Sequence, residues 1–299
     1  MHNHDHSPAQ TRQGIIFIII GLSIASLAGA VMKLLSEDLS FVQITCFRFF
    51  GFALIMLPIV LIRFGRSALK PARPGIQVIR GLSMAAGTST FIIGVQTVEF
   101  ADAIAILYAY PFLMIILAVL FLGERVQNSV RLSVIGGFIG VLLVMRPEFE
   151  NLNTGTLWVF LCAIIISIQL ILNRKLGNLS HPFVTSFWGA LSASLVLLFF
   201  LPFNWQPVNM DKLWLIGVLI ICGAVSQTLI VFSFSKATAS TLAPFTYFEI
   251  VAAVIIGYFV FGTLPVWISW IGILLISVSG LFVARSLPGR DPPGRVPKI

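Results

Sequence analysis

The residues with the clearest capacity for chemistry lie in one apolar stretch, TLAPFTYFEIVAAVIIGYFVFG, residues 241–262. Its single ionisable group of low pKa is Glu249. A carboxylate at bilayer depth costs on the order of 2.5–3.5 kcal/mol even on the lenient insertion scales, so it calls for a function or a specific partner. Such a group can relay a proton or hold a cation; the alternative is a hydrogen-bonded brace between helices. Phe245 and Thr246 lie one helical turn before it, and Ala252 and Ala253 one turn after it, leaving room beside the carboxylate. Tyr108, Tyr110 and Tyr247, with Gln169 and Gln227, are the other polar groups inside apolar runs that could line a central cavity. Pro111 and Pro244 remove backbone donors within such runs and could loosen them for gating. Counted from Ala239 along a continuous helix, Glu249 lies about 15 Å into the membrane.

The elements that must position these groups are membrane helices. The chain has 299 residues, 58% hydrophobic and 10% charged, against about 25% charged in soluble domains. Ten apolar stretches of helical length are expected at 14–35, 41–62, 75–97, 101–122, 130–146, 155–174, 182–203, 212–235, 239–261 and 265–285. With the N-terminus in the cytoplasm, only Lys33, Arg48, Arg146 and Lys212 of the 19 Lys and Arg fall outside or near the outer face. That positive-inside bias places both termini in the cytoplasm. Glu37, Asp38, Glu99, Asp102, Glu148, Glu150 and Asp211 would lie outside. Arg48 has three readings: snorkelling, pairing with an acid, or binding a substrate carboxylate.

The net charge of +8 is spread between apolar spans and does not form a nucleic-acid-binding patch. The three cysteines, Cys46, Cys162 and Cys222, lie inside apolar spans without metal-type spacing and read as small buried hydrophobes. The polar leader, 1–13, carries His2, His4 and His6 around Asp5, which read as a flexible segment before weak metal ligands. The proline- and glycine-rich tail, 286–299, is expected to be disordered.

The halves repeat one another. Gly123 precedes Arg146 by 23 residues and Gly262 precedes Arg285 by 23; ADAIAILYAYPF and STLAPFTYFEIV align at one offset, setting Tyr108 opposite Tyr247 and Tyr110 opposite Glu249. Gly87 and Gly223 also correspond. Five helices is an odd number, so the second unit, 148–285, enters the membrane inverted relative to the first, 14–147. Gly136 and Gly140 give a small-residue spacing suited to close helix packing.

Several of these residues carry a family resemblance. Arg80-Gly81, Ala101 to Ala105, Pro111-Phe112, Leu122-Gly123-Glu124-Arg125, Gly136 to Gly140 and Arg146-Pro147 resemble the first EamA module of the drug/metabolite transporter superfamily, and 240–285 resembles the second. Thr263 departs from the pattern, standing where an acid usually follows the glycine. The resemblance implies an all-α integral membrane protein of ten transmembrane helices in two inverted five-helix EamA repeats. It also implies a bacterial inner membrane and transport of small metabolites, commonly export.

The combined expectation is a secondary transporter, moving a small amphipathic or zwitterionic metabolite by alternating access, with Glu249 as substrate ligand and site of proton coupling. The alternative within the class is an importer of a vitamin or nucleoside-type metabolite such as riboflavin or S-adenosylmethionine. Glu124 and Arg125 are expected to serve structure. The partners are then the bilayer, a small-molecule substrate and a coupling proton, with no nucleic acid, metal or cofactor. A membrane enzyme is disfavoured: His181 alone among histidines lies outside the leader, and no nucleophile elbow or phosphate loop is present. A channel is disfavoured by the lack of a filter-like loop or charged ring.

Overall fold

The computed structural model describes residues 8–66, 70, 73–122, 128–145, 153–176, 181–236 and 245–286. Its α-helices are α1 (Pro8–Leu35), α2 (Phe41–Phe64), α3 (Pro74–Val95), α4 (Phe100–Leu107), α5 (Tyr110–Leu122), α6 (Asn128–Met145), α7 (Thr154–Leu176), α8 (Pro182–Phe200), α9 (Leu213–Lys236), α10 (Phe248–Phe261) and α11 (Trp267–Ser286). Two short 3₁₀ turns, Leu201–Asn204 and Met210–Lys212, join α8 to α9. Among the described residues there is no strand. Five helices are long and apolar enough to cross a membrane, and five shorter apolar helical stretches accompany them. An apolar environment leaves only intrahelical hydrogen bonds for the backbone, which is why such a chain folds as helices throughout.

Local signals set several ends. Ser40 caps α2, its hydroxyl accepting from the Gln43 N–H at 3.2 Å. His181 caps α8 through Nδ1, and Pro182 begins the helix where its missing N–H has no helical partner to lose. Gly262 ends α10 at φ 68°, in the left-handed region that favours glycine.

The helix pairings obey an exchange of the two halves. α1 lies along α9, and α3 lies along α7; these two pairs are counterparts. α1 on α10 and α5 on α7 form another such couple, while α4 on α10 and α6 on α11 are self-counterparts. Small residues permit the closest approaches. A methyl group added at Gly140 would fall 2.9 Å from the Gly272 carbonyl oxygen, and one at Gly272 would fall 2.6 Å from that of Gly140. Gly136 faces Ser279 on the same seam, where an added Cβ would come within 2.8 Å of Oγ. Cys46 and Cys162 are buried, Cys222 is half-buried, and all three are free thiols.

One end of the molecule is tied by polar contacts between the α1–α2 turn and the α8–α9 connection. The Ser40 hydroxyl donates to the Asn204 carbonyl at 2.7 Å. Gln43 and Gln206 exchange two bonds, of 2.9 and 3.1 Å. Lys212 pairs with Asp38 and, at 3.5 Å, with Glu37. Nearby in sequence, Lys33 donates to the Val98 carbonyl at 2.6 Å and lies over the Phe261 ring.

One expectation is corrected. The stretch 101–122 is two helices, since the chain turns at Tyr108–Ala109 before α5 begins. Proline fits the first turn of a helix best, where its missing N–H costs nothing, and Pro111 sits at the second residue of α5 with the break ahead of it. Asp102 lies in the first turn of α4 and is 4% exposed, accepting from the Ser269 hydroxyl of α11 at 3.1 Å. A helix N-terminus favours such an anion.

Candidate functional site

Two interrupted helices build the site. In the first half, Tyr108 ends α4 with φ −66° and ψ 7°. In the second, residues 245 and 246 are helical, Tyr247 turns with φ −66° and ψ −12°, and α10 starts at Phe248. Near-zero ψ stops a helical hydrogen-bond ladder and releases carbonyls that then need donors. The Tyr108 hydroxyl fills one such role by donating to the Thr246 carbonyl.

The same Tyr108 Oη lies 2.9 Å from Glu249 Oε2 and donates to it. Glu249 therefore stands in the first turn of α10, not partway along a continuous helix as the count from Ala239 supposed. The reason is the turn at Tyr247, which restarts the helix and points its positive end towards the carboxylate. Tyr108 is fully buried, and its ring centroid lies 5.6 Å from that of Tyr110 and 5.4 Å from that of Tyr247. Three phenol faces and one carboxylate converge from both halves of the chain. That set suits a cationic or donor-rich group with a flat apolar body, held by charge and by ring faces.

The phenol has one proton and two acceptors. Both contacts are satisfied together only when Glu249 carries its own proton and donates it to the Tyr108 oxygen. When Glu249 is ionised, the Tyr108 proton is shared or must choose. The arrangement can therefore register the protonation of Glu249 as a change in the link between the two helix breaks.

The other sequence candidates divide. Tyr110 belongs to the cluster, and its carbonyl accepts from the Ser167 hydroxyl of α7 at 3.0 Å. Gln169, two residues further, makes no hydrogen bond to the tyrosines among the described residues. Gln227 lines a different feature, a small cavity of about 20 Å³ bounded also by Arg48, Phe49, Phe52, Met84 and Gly223. Glu124, Arg125, Pro244, the histidines of the leader and the tail lie outside the described residues. Sequence reasoning missed Ser167 and the Thr246 carbonyl. A serine mid-helix gives no sign of its partner, and a free carbonyl gives none at all; only the Tyr108–Tyr247 alignment pointed to this spot.

The comparisons with known proteins agree on a class. The model of the EamA-like transporter family matches residues 12–146 and 153–285. An S-adenosylmethionine uptake transporter of Rickettsia conorii is 28% identical over 273 residues, covering 91% of this chain and 92% of that protein. A riboflavin transporter of Rhizobium johnstonii is 25% identical over 298 residues, covering 95% of each. A solved crystal structure superposes with a TM-score of 0.65 at 17% identity, over 93% of this chain and 98% of the other, which supports the fold. With its two matched stretches spanning most of its length, and with transporters rather than enzymes as its relatives, this membrane protein belongs to the EamA-like transporter family.

Proposed function

We propose that the protein is a secondary transporter for uptake of a vitamin or nucleoside-type metabolite, of the kind handled by adenosylmethionine and riboflavin carriers. The chain crosses a bacterial inner membrane ten times as two inverted five-helix units, with both termini cytoplasmic. The observation that carries the reading is the Tyr108–Glu249 bond, which joins helix breaks at equivalent places in the two halves. Interrupted helices meeting between inverted repeats are where secondary transporters hold their cargo. The name of the Rickettsia conorii relative, an uptake transporter, favours uptake over the export that the resemblance first implied.

In this mechanism the cationic or donor-rich end of the substrate binds Glu249, and its flat apolar body lies among Tyr108, Tyr110 and Tyr247. Glu249 alternates between proton and substrate, so that proton entry releases cargo or the reverse. Rocking of the halves about the α6–α11 seam exposes the site to each side in turn. Reconstituted vesicles loaded on one side with S-adenosylmethionine or riboflavin test the reading directly. Saturable counterflow of either probe supports it; flux that never saturates, or none for both probes, overturns it. Glu249→Gln should insert normally and lose the pH dependence of transport between roughly pH 5 and 8. An unaltered pH profile would make Glu249 a structural brace.

A further inference from the structure

The cavity bounded by α2, α3 and α9 contains a cation that the tyrosine cluster does not account for. Arg48 enters it from α2, seven residues and about 10 Å after the helix start. Its guanidinium is half-buried, and its hydrogen-bond partner is the Met32 sulfur at 3.5 Å. A thioether is a weak acceptor, whereas a guanidinium presents five N–H donors in a fork that fits a carboxylate. Among the described residues no carboxylate lies within 4.0 Å of it. Phe49 flanks the guanidinium at 5.6 Å, Gln227 adds a polar group, and Phe52 and Met84 supply apolar walls.

Gly223 keeps the guanidinium accessible. A Cβ there would sit 3.6 Å from Arg48 Cγ and Nε, so the bare glycine leaves that flank of the side chain open. An unpaired charge held among membrane helices is costly, and structures keep one there when something completes it.

We infer that Arg48 binds an anionic group of the substrate, a carboxylate, in the cavity between α2, α3 and α9. A molecule that carries a carboxylate for Arg48 and a cationic group for Glu249 would meet both charged side chains. The inference rests on the transport reading above and adds to it a substrate class: zwitterions of amino-acid type. The bidentate fit favours arginine over lysine, and the bare Gly223 leaves about a methyl's room beside the guanidinium.

The test is ligand binding to the purified full-length protein in detergent, read as ligand-induced thermal stabilisation. Probe pairs differ only at the carboxylate: S-adenosylmethionine and its decarboxylated form, and L-phenylalanine and phenylalaninamide. Wild type should bind the carboxylated member of at least one pair about tenfold or more tightly than the other. Arg48→Gln should erase that preference by weakening only the carboxylated member, and Arg48→Lys should keep part of it. Gly223→Ala, whose methyl makes only ordinary contacts, should reduce the preference several-fold, giving a readout if Arg48→Gln does not fold. Equal binding of both members of each pair by wild type overturns the assignment. So does equal loss of both in Arg48→Gln, or stabilisation reproduced by chloride or phosphate alone. A carboxylate preference without any vesicle transport would leave the Arg48 site standing and sink the transport reading; transport without the preference would do the reverse.

Discussion

At Tyr108 the first half of the chain leaves its helix with φ −66° and ψ 7°, and at Tyr247 the second half does so with φ −66° and ψ −12°. The backbone solution is the same, and so is the tyrosine that occupies it. Two residues further the halves part: Tyr110 stands in the first turn of α5, Glu249 in the first turn of α10. The duplicated framework thus supplies two helix starts, each with a positive end directed inward, and only one of them carries a carboxylate. The other answers with a phenol ring and a carbonyl held by Ser167. What the duplication leaves equal is the architecture; what it makes different is the chemistry.

That contrast can be attacked from either side. Glu249→Ala should produce the largest loss, a fall in transport of roughly 100-fold with the protein still folded. Vesicle flux alongside a melting curve checks it, and wild-type flux would mean that the asymmetry has no functional weight. Tyr108→Phe comes next. It removes the donor shared by the Thr246 carbonyl and Glu249, and flux should fall about tenfold, with stability lower by about 1.5–3 kcal/mol. Tyr110→Phe should change flux by less than about threefold, because the Ser167 bond is made to the backbone carbonyl and the ring is kept. A loss equal to that of Tyr108→Phe would show the two breaks to be chemically equivalent after all.

The smallest effect lies away from both breaks. The hydrogen bond from Lys212 to Asp38, with Glu37 beside it, raises the lysine above its ordinary range. A base whose pKa is raised by folding contributes its stabilisation below the ordinary lysine value and loses it as pH rises through the higher folded value. With the intrinsic rise of exchange with pH divided out, amide protection over 201–212 should therefore be flat from neutral pH to the lysine range and fall only above it. Lys212→Met should show the lower protection throughout.

Much of the fold was readable before the structure. Apolar runs between basic loops mark membrane helices, because nothing but a lipid environment tolerates them, and the 23-residue offsets marked the repeat. The helix breaks were only partly readable. Hydropathy runs unbroken through YAYPF and TYFEI, and Pro111 and Pro244 hint at a weak point without fixing the residue at which the chain turns. Glu249 was singled out by its cost in lipid, which composition alone reveals. Its tyrosine neighbours were named from the sequence, but its place in the first turn of a helix that restarts at Phe248 was not. Arg48 was legible as an oddity and not as part of a cavity, because the glycine that opens its flank comes from α9, some 175 residues away. Long-range pairing of a side chain with a missing side chain has no local signature.

The polar ties at one end of the molecule have a consequence in terms of populations. Ser40 to Asn204 and Lys212 to its two acids are few and partly wetted, so each can be exchanged for water at little loss, and only the buried Gln43 to Gln206 pair holds more firmly. A closure assembled from such contacts does not lock the chain into one basin. Turning a 99:1 ratio of two states into its inverse takes about 5.5 kcal/mol of differential binding, within reach of a ligand gripped at a few charged and aromatic points. The weakness of the outermost bonds is what would leave the balance between the two states for the cargo to decide.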